Sequence, residues 1–299
     1  MAEPAVPPGV RAVATGATTA WIRAGYDGLF LQDETLLAPR GFSRAAELDA
    51  GTGPRGGRGA APTLALPDHP GLRVVWRHYR RGGVLAPLLR DGFRDPWRPM
   101  HEWRLSDALR ARGVATPLVI AALSHRGSGG WSTGDLVTLE VPGAEDLGVF
   151  CRRTATLAPR LRTASRRGAA RAAAATLVAL HDAGGCHRDL NCANLLVANE
   201  SGEWTAWIID LDDSPPLADP LPDRTRAAQL LRLARSAAKL RADGVDLPWR
   251  DAWRVMHAYA ARCPGVRAHL RQGAGRRGRF VHGIGWWLAR AFRASRETQ

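Results

Sequence analysis

The stretch Cys186-His187-Arg188-Asp189-Leu190-Asn191-Cys192-Ala193-Asn194 sets an acid and an amide five positions apart, and a second acid, Asp210, closes the apolar run Trp207-Ile208-Ile209. These are the residue types that phosphoryl transfer needs: a carboxylate to take the proton of an attacking hydroxyl, and hard oxygen ligands for magnesium. Asp189 suits the first role, Asn194 and Asp210 the second. Loop capping would account for each polar residue singly but not for their joint spacing, and the chain reads as a kinase using ATP and Mg2+.

The spacing has a mechanical reason. Leu195 to Val197 and Trp204 to Ile209 are apolar enough for two short strands, joined by the turn-forming cluster Ala198-Asn199-Glu200-Ser201-Gly202-Glu203. Such a hairpin returns Asp210 to the side of Asn194. Upstream, the alanine-rich run Arg167 to His181 predicts a helix with Ala173, Leu177 and Leu180 on its buried face, and Gly184-Gly185 ends it just before the loop. His187 is expected to pack and hydrogen-bond the loop backbone, and His181 to be a cap or core residue.

At 299 residues and 45% hydrophobic, the chain can build the core of a two-lobed soluble enzyme. No apolar run reaches the ~18 residues of a membrane span, and Met1 to Val10 lacks the regions of a signal peptide, so a cytoplasmic protein is expected. Cys151, Cys186, Cys192 and Cys263 have no metal-site spacing and read as reduced thiols. The net charge of +14 is almost all arginine, Lys239 being the sole lysine. That balance suits nucleic acid, an anionic membrane or a phosphorylated substrate, and it is also what a biased codon composition yields. No zinc finger, RNA-recognition sequence or heptad-bearing basic region is present, so nucleic acid ranks low.

Residues 1–20 and Gly51 to Ala61 are rich in Pro, Ala and Gly and are expected to be loosely ordered. Gly56-Gly57-Arg58-Gly59 is either a turn in which Gly57 and Gly59 admit nucleotide phosphates close to the backbone, or a plain surface loop. Leu72 to Tyr79 predicts a strand. Protein kinases place a phosphate-reaching lysine here, but Lys239 lies beyond the catalytic motifs, so Arg77 is the substitute; alternatively Arg77, Arg80 and Arg81 form a basic patch. A helix over Pro99 to Arg112 offers Glu102 as the partner of Arg77, or as a first-turn acid that suits the helix dipole. Strands over Pro117 to Ala121 and Leu136 to Glu140 lead to Val141-Pro142-Gly143, a hinge at which the backbone of Glu140 and Val141 would face adenine. Residues 21–143 then make an N-lobe and 144–299 a C-lobe. Helices are expected over Thr225 to Ala242, Trp249 to Arg262 and Phe280 to Ala294, the last basic and carrying Trp286-Trp287, which suits membrane contact or packing on the protein.

Arg77-His78-Tyr79-Arg80-Arg81-Gly82-Gly83, Leu88-Leu89-Arg90-Asp91, Glu102-Trp103-Arg104-Leu105, Pro142-Gly143, Asp189-Leu190-Asn191 with Asn194, Ile209-Asp210-Leu211-Asp212 and Leu230-Leu231-Arg232-Leu233 are similar to motifs of the bacterial lipopolysaccharide kinases. Within that family the chain most resembles the 3-deoxy-D-manno-octulosonic acid (Kdo) kinases. The resemblance implies an α+β, protein-kinase-like, two-lobed fold, with a small, mainly antiparallel β N-lobe holding one helix and a larger helical C-lobe. It implies ATP-dependent phosphorylation of a Kdo hydroxyl on a lipid A precursor, by an enzyme peripheral on the cytoplasmic face of the inner membrane. Carried over, Asp189 is the catalytic base, Asn194 and Asp210 are the magnesium ligands, and Arg77 with Glu102 orients the phosphates. Asn191 stands where protein kinases usually have lysine, beside the acceptor, and Arg80 and Arg81 suit its anionic groups. Arg188, Leu211 in place of the usual Phe, and the C-terminal extension depart from the pattern. A kinase of another small molecule or sugar, aminoglycoside-phosphotransferase-like, would share the Asp189 to Asp210 machinery. A Ser/Thr protein kinase is disfavoured, because Ser214-Pro215-Pro216 leads to a helix without an Ala-Pro-Glu anchor.

Overall fold

The computed structural model describes residues 6–49, 61–80 and 91–276. They form two compact units. The first holds the described residues of Met1–Ala111, with Thr116–Pro142 and Leu211–Asp213; the second holds Arg112–Ala115, Gly143–Asp210 and the described residues of Ser214–Gln299.

In the first unit β1 (Val10–Thr15), β2 (Thr18–Arg23), β3 (Thr63–Ala65), β4 (Arg73–His78), β5 (Val119–Arg126) and β6 (Ser132–Leu139) make one antiparallel sheet in the order β1-β2-β5-β6-β4-β3. Side chains alternate across it. Val74 and Trp76 of β4 enter a core with Ile22, Phe30, Leu36, Leu123 and Val137, and two short helices, α1 (Gly28–Gln32) and α2 (Gly41–Leu48), contribute to that side. The opposite face carries Trp21, Tyr79, Phe93, Val119, Ala122 and Leu136, packed on Met100 and Trp103 of α3 (Arg98–Ala111). A bulge in β5 between Val119 and Ala121 turns both Ile120 and Ala121 toward the first core. Arg23 fixes α3 on the sheet, donating to Val119 O at 2.8 Å and to both oxygens of Asp107 at 2.7 and 2.8 Å, while Trp103 Nε1 donates to the same carboxylate at 2.8 Å.

Two expectations need correction here. Val10–Thr15, inside the stretch read as loosely ordered, and Thr18–Arg23, which begins in it, are paired strands; small residues such as Ala20 leave room for the core, so composition concealed the alternation that Trp21 and Ile22 complete. The N-terminal unit also holds three α-helices among its described residues, where one was expected.

In the second unit β7 (Glu145–Asp146), β8 (Leu195–Glu200) and β9 (Glu203–Ile208) form a small sheet, and α4 (Leu147–Ala155), α5 (Pro159–Asp182), α6 (Asp223–Ala242), α7 (Trp249–Arg262) and α8 (Val266–Arg276) make up the helical part. The Asp146 carboxylate caps α4 by accepting from Gly148 N at 2.7 Å and Val149 N at 2.9 Å. α5 starts at Pro159, about two turns before the expected Arg167, with proline at a first-turn position that needs no N–H. Ala169, Ala173, Ala174, Leu177 and Leu180 give it a buried face. At Gly168 even a Cβ would lie 2.2 Å from the Trp204 ring, so glycine is what lets β9 approach the helix. The C-terminus of α5 is a Schellman turn, with Gly185 N to Leu180 O at 2.8 Å and Gly184 N to His181 O at 3.2 Å, and Gly184 at φ 77°. This turn aims the chain at the loop beginning with Cys186. The expected helix over Phe280 to Ala294 lies outside the described residues, and no described helix is long and apolar enough to cross a membrane.

Inside this unit His181 is fully buried, its Nδ1 2.7 Å from the Tyr259 hydroxyl and its Nε2 without a partner among the described residues. Burial, with Arg226 nearby, pushes its pKa down to about 3. The unfolded chain takes up that proton near pH ~6.5, so between these values the unfolded state binds more protons. This group's contribution is therefore complete above pH ~6.5 and is lost as pH falls toward 3. Urea unfolding at pH 7 and pH 4.5 is expected to show His181→Phe losing less stability than the parent over that interval, by on the order of 2 kcal/mol. Equal losses would show that His181 does not set the acid sensitivity.

Candidate active site

The hairpin register builds the centre of the site. β8 and β9 pair Leu195 with Ile208, and the ladder continues one step through Ile209 N to Asn194 O at 3.1 Å. Asn194 and Asp210 therefore stand at neighbouring open ends of the hairpin, as the sequence spacing predicts. Asn194 is buried and its Nδ2 donates to Asp189 O at 2.9 Å, which orients the amide and leaves Oδ1 as its acceptor end. Asp210 adopts φ 61°, a left-handed conformation that costs a non-glycine residue about 1–3 kcal/mol and re-aims its side chain. An amide oxygen and a carboxylate are the donor types that magnesium takes, completing its shell with water and substrate phosphates. The residues fit that ion, whereas no set of three or more His, Cys, Asp or Glu suited to a metal occurs among the described residues.

Asp189 itself is exposed, and its surroundings hold it in place. His187 is buried; its Nε2 lies 3.0 Å from Ile209 O and its Nδ1 accepts from Asp189 N at 3.1 Å. Burial holds its pKa below the ordinary imidazole value, which keeps Nδ1 free to accept. Asn191 caps the 3-10 turn Cys192–Asn194: its Oδ1 accepts from Ala193 N at 2.8 Å and Asn194 N at 3.2 Å. Its Nδ2 donates to the Asp189 carboxylate at 3.0 Å and to Asp189 O at 3.1 Å. The residue expected beside the acceptor thus has both ends of its amide bonded inside the loop. Three supports that sequence reasoning missed are Ser214 Oγ on Arg188 N at 3.2 Å, Ser236 Oγ on Cys192 N at 3.1 Å, and Arg232, which donates to Arg188 O. Arg232 and Ser236 sit one turn apart on α6, a spacing that could have revealed them.

A second set of groups gathers in the first unit around Glu102, which is 5% exposed. Arg77 leaves the β4 face that packs on α3 and pairs with Glu102 Oε2. Tyr79, two residues on and on the same face, donates its hydroxyl to that oxygen at 2.5 Å, while Leu211 N donates to Oε1 at 3.0 Å. Burial and the Glu102 charge push the Tyr79 phenol well above its ordinary value, so it remains a donor. Glu102 therefore joins the strand cation to the residue that follows Asp210. Glu140 gives its N–H to Arg73 O at 2.8 Å, and its carboxylate is ion-paired with Arg73, 3.2 Å from Nε; Val141 follows, half-buried. Arg80 is exposed, its guanidinium 5.8 Å from the Phe42 ring centre. Gly57, Gly59 and Arg81 lie outside the described residues.

The first unit ties a cation to a helix glutamate, and the second runs a carboxylate loop into a hairpin; both are parts that a phosphotransferase acting on a hydroxyl uses. The model of the lipopolysaccharide kinase (Kdo/WaaP) family matches residues 56–259, and the chain belongs to that family. It is 30% identical over 212 residues to a 3-deoxy-D-manno-octulosonic acid kinase of Actinobacillus succinogenes, covering 70% of this chain and 82% of that one. Against the same enzyme of Haemophilus influenzae it is 31% identical over 188 residues, covering 61% and 73%. Among solved structures it is similar to WaaP in complex with acyl carrier protein, at 23% identity and TM-score 0.45, covering 83% of this chain and 90% of that one.

Proposed function

We propose that the protein transfers the γ-phosphoryl group of ATP to a hydroxyl of Kdo on a lipid A precursor. The observation that carries this reading is the hairpin register: it brings Asn194 beside Asp210 and ties Asp189 to Asn194. The Asp189 carboxylate takes the hydroxyl proton as the oxygen attacks phosphorus, and the bond to the β-phosphate oxygen breaks with its electron pair leaving on ADP. Asn194 and Asp210 would hold magnesium, which would supply charge neutralisation on the phosphates. Arg77, kept in position by Glu102, is the fixed positive charge that the first unit offers to nucleotide phosphates. With its N–H committed to Arg73, Glu140 offers adenine its carbonyl, and Val141 its N–H. Arg80, exposed at the end of the described strand segment, meets the anionic acceptor, and Asn191 stands beside it through Asp189. Residues 21–143, joined by β1 and the start of β2, then act as the N-lobe and 144–299 as the C-lobe. The net charge of +14 suits attraction to an anionic leaflet, which supports reading the enzyme as peripheral on the cytoplasmic face of the inner membrane, where its acceptor would be embedded.

Purified protein with magnesium and labelled ATP is expected to label Kdo-bearing lipid A and to leave lipid A without Kdo unlabelled. Equal labelling of both would reject Kdo as the acceptor. Labelling of a free aminosugar in place of either would select the small-molecule kinase reading.

A further inference from the structure

Arg98 opens α3 one turn before Glu102, so both project from one face of the helix. Its Nε donates to Asp212 Oδ1 at 2.7 Å and its Nη2 to Oδ2 at 2.5 Å, a two-pronged pairing, and Nη2 also lies 3.4 Å from Asp213 Oδ2. The guanidinium carbon is 5.6 Å from the Tyr79 ring centre and 5.4 Å from that of Phe93. Its side chain is one quarter exposed, at 25%, so the pair is largely shielded from water and the aromatic rings limit its freedom. The segment that Arg98 grips is unusual: Asp210 at φ 61° and Asp213 at φ 53° are left-handed residues on either side of Leu211-Asp212. Such conformations persist where the surroundings over-determine them. Glu102 takes the Leu211 N–H and Arg98 takes the next carboxylate, so consecutive residues after Asp210 are held by one helix.

We propose that Arg98 is a positioning residue for phosphoryl transfer: by clamping Asp212 it fixes the left-handed turn at Asp210, and with it the direction in which that carboxylate meets the metal. The inference rests on Asp210 being a metal ligand, as proposed above. A planar fork matches a carboxylate in orientation as well as charge, which a lysine ammonium does not. The competing assignment makes Asp212 a metal ligand in its own right, with Arg98 only its counter-ion.

Manganese binding in the presence of ADP, followed by electron paramagnetic resonance, separates the two. Arg98→Ala, Arg98→Lys and Asp212→Ala are each expected to weaken Mn2+ binding about 10- to 100-fold, the range for a residue that orients a metal ligand. The double variant should be no weaker than the poorer single one, because the pair acts as a unit. Turnover should fall with metal affinity, while melting temperatures stay close to the parent. Parent-like Mn2+ binding in Arg98→Ala and Arg98→Lys, with loss confined to Asp212→Ala, would overturn the clamp and make Asp212 a ligand. Losses that track the unfolded fraction alone, in Arg98→Lys as in Arg98→Ala, would also overturn it, leaving a purely structural ion pair. No Mn2+ binding by the parent protein would instead remove the metal reading, and the clamp with it.

Discussion

Asp189→Asn is expected to lower turnover by about 10²- to 10⁴-fold, the usual contribution of a positioned base, while nucleotide binding stays within a small factor of the parent. The substitution keeps size and shape. The backbone bonds of the loop survive it: Asp189 O still accepts from Asn194, and Asp189 N still donates to His187. An exposed side chain contributes little to folding, so stability should change by no more than about 0.5 kcal/mol. Single-turnover transfer from labelled ATP, read beside nucleotide titrations, checks both halves. Retention of a tenth or more of parent turnover would remove Asp189 from the proton transfer.

The second large effect belongs to Glu102. Replacing it with alanine removes a partner from three groups at once: the Arg77 guanidinium, the buried Tyr79 hydroxyl and the Leu211 N–H. Losing one partner of a fully buried ion pair costs about 3–5 kcal/mol; Arg77 is 29% exposed and keeps access to water, so the cost here should fall below that range. Glu102→Gln keeps a carbonyl oxygen to accept from Tyr79 or Leu211 but loses the charge opposite Arg77, so its cost should be smaller. Melting curves should therefore rank parent above Gln above Ala, with nucleotide affinity falling in the same order. A Gln variant as active and as stable as the parent would show that Arg77 needs no carboxylate at position 102.

The hairpin was the most legible part of the chain, because its turn cluster and two apolar runs admit one pairing that closes both ends. Strands expected over Leu195 to Val197 and Trp204 to Ile209 are found as Leu195–Glu200 and Glu203–Ile208. Trp249–Arg262 is a helix as expected, and Arg77 meets Glu102 because the β4 register turns Val75 and Arg77 to one face. Less legible were elements whose residues speak for two states. β1 and β2 are built from Ala, Thr and Val in a Gly- and Pro-rich context, and the start of α5 is masked by arginines whose burial depends on partners far along the chain. Arg166 is the clearest example: it is 3% exposed, held by Asp251 Oδ2 at 2.9 Å and Asp246 Oδ2 at 3.1 Å, pairings of some 80 residues' separation that no local pattern reports. In the loop, Asn191 was placed by its position in a motif, whereas its bonds follow from ordinary turn chemistry of asparagine. Arg98 escaped notice because its partner lies 114 positions away.

The bulge in β5 has a consequence for how related chains should be compared. Val119 and Ala122 belong to the α3 side, with Ile120 and Ala121 together on the other. Omitting Ile120 would restore strict alternation without moving Val119, Ala121 or Ala122 to a new side. A relative one residue shorter at this point would keep its helix-bearing surface unchanged, losing only some apolar cover beneath α1 and α2. A one-residue gap elsewhere in the strand would invert everything beyond it, so alignments should be allowed to open here and penalised a few positions later.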